Sequence, residues 1–422
     1  MQATWFPLNM NRILRSTFVQ NAARLFSGSV LSQAITLAAL PLITRTYSPE
    51  DYGVFAVFLS ISTITAALAG LSLPSGIVRS TSAQKANQLF SFTLHWILSV
   101  HAIFLVVALL FLEQLGLQLM EIVLGVVGSS VMSLFASFQA FSNYRTRYTS
   151  LSVQAVIRAI VYVVLALFIP VFSGSATGEV LFLAHILSCI LSIIYLSWAL
   201  QLGGVVFASG LQHTVSIFRH EKDIVTFLFP ASWIDLFSER SVILKFQSAL
   251  MDAAIGNYHL AQRTLSMPAT LISSSVAKVF TPELAKRIQN NEGNIKEFVV
   301  KVWLGLALVG LLPLILVAAF APPLFTLVFG TEWEVAGQMA QVMSVGYYAK
   351  FISIPTSSIF LVSRRLAWSF YLTIFTGIAR AAGTLIGFFL DGAYGAVVGY
   401  TIADIIAIIL YNRIGYFGLE QP

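Results

Sequence analysis

Apolar residues run through the chain in blocks of about 20, the length a helix needs to cross the hydrocarbon core of a bilayer, and short polar stretches separate the blocks. The blocks fall at 24–46, 52–75, 90–112, 118–140, 150–172, 179–200, 224–250, 254–280, 298–320, 336–361, 366–389 and 393–412. They predict an all-α integral membrane protein of about twelve transmembrane helices. The longest interruption, about 201–223, divides the chain nearly in half and predicts two six-helix lobes, 1–200 and 224–422, joined by a cytoplasmic linker. Residues 1–22 precede a long span that carries Gln33 and is followed at once by another, so they are expected to be a retained cytoplasmic lead-in, not a cleaved signal. No block of polar sequence is long enough for an extramembrane domain.

Composition agrees with the pattern. Hydrophobic residues make up 57% and charged residues 10%, and the mean hydropathy is +0.84, far from the balance of a soluble domain. A net charge of +6 would suit nucleic acid if it were concentrated, but the basic residues are scattered between apolar blocks, so no nucleic-acid partner is expected. The lone cysteine, Cys189, permits neither an intramolecular disulfide nor a cysteine zinc site. His95, His101, His185, His213, His220 and His259 lack metal-ligand spacing, and no Walker-type glycine loop occurs, so neither metal nor cofactor is expected.

The scattered cations do have an order. With a cytoplasmic N-terminus, the inner segments hold Arg12 and Arg15, Arg79 and Lys85, Arg145 and Arg147, Arg219 and Lys222, Lys286, Arg287 and Lys296, Arg364 and Arg365, and Arg413. The outer segments carry Glu113, Asp252, Glu332, Glu334 and Asp391, with only Arg45 at a helix end. By the positive-inside rule both termini should be cytoplasmic.

The halves align weakly. LITRTYSPEDYGVFAVFLS (42–60) crosses the first outer turn and ILKFQSALMDAAIGNYHLAQR (243–263) the seventh-to-eighth turn, which superposes Gly53 on Gly256. Two six-helix halves related along the membrane normal are a transporter plan with substrate bound in a central cavity between them. PLITRTYSPEDYGVFAVFLSI, FPASWIDLFSERSVILKFQ (229–247) and IGNYHLAQRTLSMPATLISSSVAKVFTPELAKR (255–287), with the NYRTRY stretch after the fourth helix, resemble the Wzx-type polysaccharide repeat-unit flippases of the multidrug/oligosaccharidyl-lipid/polysaccharide exporter (MOP) superfamily. The resemblance implies movement of an undecaprenyl-pyrophosphate-linked oligosaccharide across the bacterial inner membrane by alternating access, for O-antigen or capsule-like surface polysaccharide; a proton or sodium gradient would drive it if the intramembrane acids take up the ion. It also implies partnership with a polysaccharide polymerase and a chain-length regulator.

Charges within the spans point to chemistry. A Lys, Arg or Asp at the centre of a transmembrane helix costs roughly 2.5–3.5 kcal/mol on insertion, so Arg158, Arg240, Lys245, Arg263, Lys350 and Arg380 should face a hydrated interior. Arginine forks suit phosphate oxygens. Arg240, Lys245, Arg263 and Lys350 are therefore the first candidates for an anionic headgroup, with Arg158 and Arg380 guiding it nearer the cytoplasm. The plainer reading is that single cations pair with local acids or snorkel to an interface. Asp235, Glu239 and Asp404 are open to two roles: ion coupling, or charge balance against Arg240 or Lys245. Asp235 and Glu239 share a helical face at i and i+4, and Arg240 stands about 100° from Glu239, so one of these charges should face a neighbouring helix.

Other features read as structure. Ser48, Pro49 and Asp51 form a Ser-x-x-Asp capping box opening the second helix, which is preferred over a catalytic role for Glu50 and Asp51; Asp252 is expected as the matching N-cap. Pro230 and Pro268 fall inside helices seven and eight and serve there as kinks or bending points. Gly53, Gly70, Gly203 and Gly204 are assigned to turns or close packing. Two other functional classes remain open: a cation-coupled small-molecule exporter, whose cavity should be acidic if its cargo is cationic, and a membrane glycosyltransferase or polymerase, which should carry a sizeable catalytic outer loop. The peptidoglycan-precursor flippases are a closer neighbour with two further helices.

Overall fold

The computed structural model describes residues 17–111, 118–202, 224–290, 294–354, 356, 359–360 and 366–418. Arg12, Arg15, Gly203, Gly204, His213, Arg219, His220, Lys222, Glu113, Arg364 and Arg365 lie outside them. Every regular element among the described residues is helical. The first half holds α1 (Thr17–Thr46), α2 (Pro49–Gly70), the short α3 (Leu73–Arg79), α4 (Ala83–Leu110), α5 (Leu119–Tyr144), α6 (Tyr148–Ser173) and α7 (Gly178–Ala199). The second holds α8 (Phe229–Glu239), α9 (Ser241–Ser248), α10 (Asp252–Asn290), α11 (Ile295–Phe329), α12 (Glu334–Ser353) and α13 (Leu366–Phe417).

Membrane spans follow from these elements. α13 is two spans folded at Asp391 (φ −150°) and Gly392 (φ 55°), where the positive φ favours glycine. α8 and α9 together make one span. Eight described helices are long and apolar enough to cross a membrane; the broken α8–α9, α10 and α12 are absent from that set. Those three spans carry Asp235, Glu239, Arg240, Lys245, Arg263 and Lys350. They are less apolar because they line an interior, not lipid. The chain is thus a multi-pass, twelve-helix membrane protein of two lobes around a central cavity.

Helix boundaries refine the expectations drawn from sequence. Ser48 caps α2 with the full reciprocal box: its side chain accepts from Asp51 N at 3.2 Å and Asp51 Oδ2 accepts from Ser48 N at 3.3 Å. Asp252 is not the N-cap of α10; Met251 O accepts the first helical bond, from Ile255 N at 3.1 Å, leaving Asp252 in the first turn. There its charge still faces the positive end of the helix dipole. The span expected as one helix over 224–250 is interrupted at Arg240 (φ −94°, ψ 0°), which caps α8 and precedes α9. Pro230 closely follows a π-helical turn at Ile224–Leu228, so it sits where the helix changes pitch and not at a sharp break. The break therefore falls ten residues beyond the proline.

Each half packs mainly on itself: α1 against α6, α4 against α5 and α5 against α7; then α11 against α12 and α8, α9 and α12 against α13. The halves meet chiefly where α2 crosses α10, at the end of the bundle where both helices begin. Trp333, fully buried between α11 and α12, donates from Nε1 to Thr44 O at 3.1 Å, and its ring stands edge-on to Tyr52 with centroids 5.6 Å apart. Tyr47 Oη donates to Ala166 O at 2.7 Å beside them. This end is closed by apolar packing, with Trp333 and Tyr47 anchored to backbone carbonyls.

Candidate functional site

Below that closed end a cavity of about 410 Å³ lies between the lobes. Phe55 and Leu59 of α2 and His185 of α7 wall it on one side, with Glu239, Arg240, α10 and Tyr347 and Lys350 of α12 on the other. α10 presents one continuous helical face, His259, Gln262 and Arg263, Ser266 and Thr270, at spacings of three and four. Exposure grades along it from 6% at His259 to the exposed Thr270. The cavity is blind toward the α2–α10 crossing and widens away from it.

Three of the six intramembrane cations line this space: Arg240, Arg263 and Lys350, against a single acid, Glu239. Arg263 Nη1 donates to Tyr52 Oη across the lobe boundary at 3.0 Å, and its guanidinium lies 5.5 Å from the Tyr162 ring centre. Arg240 Nε is buried without a hydrogen-bond partner among the described residues. Among the described residues neither arginine has an acid within ion-pair distance. Lys350 does: its Nζ meets Glu239 Oε1 at 2.8 Å.

The remaining three lie elsewhere. Arg380 is buried and held from two helices, by Asp404 Oδ1 at 2.6 Å and Asp235 Oδ1 at 2.8 Å, with Ser238 Oγ at 3.4 Å. Lys245 stacks over Phe388 at 4.2 Å. Arg158 lies over Phe135 at 5.3 Å, beside the Cys189 thiol. All three expected acids thus have cationic partners, but the partners are Arg380 and Lys350, not Arg240 or Lys245. The face shared by Asp235 and Glu239 reaches two different helices, α13 and α12.

Sequence reasoning passed over His185, His259, Gln262 and Tyr347, which also line the cavity. The histidines were set aside for want of metal spacing. His259 nevertheless stands at i−4 from Arg263, and that helical spacing was the available signal. Both its ring nitrogens are buried without a hydrogen-bond partner among the described residues, beside the rings of Tyr52 and Phe55 at 5.4 and 5.9 Å.

Residues 42–338 match the profile of the family described as polysaccharide biosynthesis protein. The chain belongs to that family. The resemblance to Wzx-type flippases drawn from the sequence is borne out by this match and by a curated relative, the lipopolysaccharide biosynthesis protein WzxC of Escherichia coli (strain K12), 21% identical over 220 residues. That alignment takes in 52% of this chain and 44% of WzxC, so the chain spans under half the length of the relative it matches. Among solved structures it is similar to an inward-facing multidrug resistance MATE family transporter of the MOP superfamily, with TM-score 0.71, 16% identity, and 92% of this chain and 94% of that one covered. It is likewise similar to the lipid II flippase MurJ in an inward closed conformation, with TM-score 0.70, 12% identity, and 96% and 88% covered. These neighbours share the two-lobed membrane fold.

Proposed function

We propose that this family member flips undecaprenyl-pyrophosphate-linked oligosaccharide repeat units from the cytoplasmic to the periplasmic leaflet of the bacterial inner membrane, by alternating access of its two lobes. The observation that carries the reading is the sign of the cavity: three cations to one acid, with Arg240 and Arg263 lacking any acid partner among the described residues. A sugar pyrophosphate cannot pass apolar medium unaided, because an ionised group taken from water without compensation costs far more than folding or binding can supply. Arg240 and Arg263 offer planar forks for phosphate oxygens in that path, and Lys350 adds a third charge at the same cavity. The α10 face of Gln262, Ser266 and Thr270 offers neutral hydrogen-bonding groups next to them, suited to sugar hydroxyls.

Lys245, Arg158 and Arg380 are secondary in this reading, since none lines the cavity. Asp235 and Asp404 serve charge balance around Arg380, while Glu239 alone of the three acids faces the cargo space. Coupling to a proton or sodium gradient, cytoplasmic termini, the 201–223 linker and partnership with a polymerase and chain-length regulator complete the proposal. A cation-coupled exporter of cationic small molecules fits less well, because its cavity would carry the opposite sign.

The test is analysis of lipid-linked sugars and surface polymer in a strain lacking the chain. Complete repeat units on undecaprenyl pyrophosphate, held in the cytoplasmic leaflet with surface polymer lost, are expected. Truncated units would point to a glycosyltransferase, and unchanged glycans to a small-molecule exporter.

A further inference from the structure

An acid in a cavity otherwise built from cations needs a reason, and the position of Glu239 supplies one. It is the last residue of α8, immediately before the break at Arg240. Its Oε1 lies 2.8 Å from Lys350 Nζ, and the two side chains remain 32% and 42% exposed. The pair is therefore open to the cavity, unlike the Arg380–Asp404 pair, whose side chains are only 6% and 7% exposed. On one side of the Lys350 ammonium stand Arg240 and Arg263, charged and without acid partners among the described residues. On the other a void of about 20 Å³, bordered by Tyr347, Tyr400, Thr401 and the Arg380-paired Asp404, has room for about one water.

We propose that Glu239 is a built-in stand-in for the phosphate of the cargo: its carboxylate occupies the anion subsite on Lys350 while the cavity is empty and yields it when a diphosphate binds. This rests on reading the cavity as an anion site. A partly exposed pair exchanges more readily than a sealed one, because water reaches both charges. A diphosphate brings more charge and more oxygens than one carboxylate and engages Arg240, Arg263 and Lys350 together, so it wins the exchange. Without Glu239 the empty cavity would hold three unpaired cations, whose mutual repulsion opposes their close approach. The displaced carboxylate turns away from Lys350 toward Gln262, which lines the same cavity and carries an amide donor. Loss of the pair also unties α8 from α12, while Asp235 still holds α8 to Arg380 of α13. Cargo binding thereby loosens one helix contact of the second lobe and leaves the other in place.

The experiment is a binding measurement on the full chain in lipid nanodiscs, with farnesyl diphosphate as probe and inorganic pyrophosphate alongside. Wild type, E239Q, K350Q and the E239Q/K350Q double variant are compared after each is shown to be monodisperse. The expected result is that E239Q binds farnesyl diphosphate about tenfold more tightly than wild type, that K350Q binds it about tenfold more weakly, and that adding E239Q to K350Q changes nothing further, because Glu239 acts through Lys350. A gain confined to farnesyl diphosphate assigns the subsite to a lipid-linked group, and a gain for both probes assigns it to the diphosphate as such. Equal or weaker binding by E239Q, or a tightening that persists undiminished in the K350Q background, overturns the role of Glu239. Absence of saturable binding of either probe by wild type and E239Q alike overturns the anionic-cargo reading itself.

Discussion

Gly53 and Gly256 lock the two lobes together by mutual absence of a side chain: a Cβ on Gly53 would meet the backbone carbonyl of Asp252, and a Cβ on Gly256 would meet that of Pro49. The obstacles are backbone atoms, which no rotamer change can move. Each helix thus crosses the first turn of the other at backbone contact, and the pseudo-symmetry that superposes the two glycines in the sequence is visible here as a reciprocal contact. Gly256→Ala is expected to wedge this end open. A cysteine placed at the 4%-exposed Thr44, in a chain whose buried Cys189 has been replaced by serine, should react with an impermeant maleimide several-fold faster in the G256A background. An unchanged labelling rate would remove the closure role of this crossing.

Charge removal should separate the cations into two groups. Arg240 and Arg263 have no acid partner among the described residues, so their replacement leaves no carboxylate orphaned. The double alanine variant is expected to reach the membrane at normal levels by immunoblot while surface polysaccharide falls to a small fraction of wild type. Full export by that variant would refute their role in carrying the headgroup.

Arg380 belongs to the other group. It neutralises the buried Asp404 and also Asp235, and removing one member of a buried pair costs about 3–5 kcal/mol because the remaining charge stays desolvated. Arg380→Ala should therefore deplete the protein and lower its unfolding temperature in detergent, with D404N in the same chain restoring part of the loss. Normal thermal stability of R380A would contradict this assignment.

How much of this was legible beforehand depends on the range of the interaction. Span positions and the Ser48–Asp51 box follow from local pattern, because hydropathy and capping act within about one helix length. The break at Arg240 was not legible: Pro230 drew attention ten residues too early, and no local signal distinguishes Arg240 from its neighbours. The partners of the acids were hidden for a related reason. Asp235 and Arg380 are 145 positions apart and Glu239 and Lys350 are 111 apart, so helix-wheel geometry indicates which face a charge occupies but not which helix stands opposite. His259 carries no metal-ligand spacing, and the signal it does carry, its i−4 register with Arg263, gains meaning only once Arg263 is placed in the cavity.

His259 offers the sharpest separation of function from stability. A buried polar group without a hydrogen bond destabilises a fold by roughly 1–3 kcal/mol, and among the described residues neither ring nitrogen of His259 has a partner at the blind end of the cavity. The rings of Tyr52 and Phe55 stand beside it, and a phenyl group would pack on their faces with no ring nitrogen left to pair. If the imidazole were there for packing, His259→Phe would be neutral in export. If it waits for a hydrogen-bonding partner on the cargo, the same change should raise the unfolding temperature of the empty protein while export declines, a combination that loss of packing does not produce. His259→Gln, which keeps a donor and an acceptor, should recover part of the export and give back part of the stability gain. Measuring both quantities on the two variants decides the matter, and full export by H259F would mean that the imidazole makes no contact with cargo.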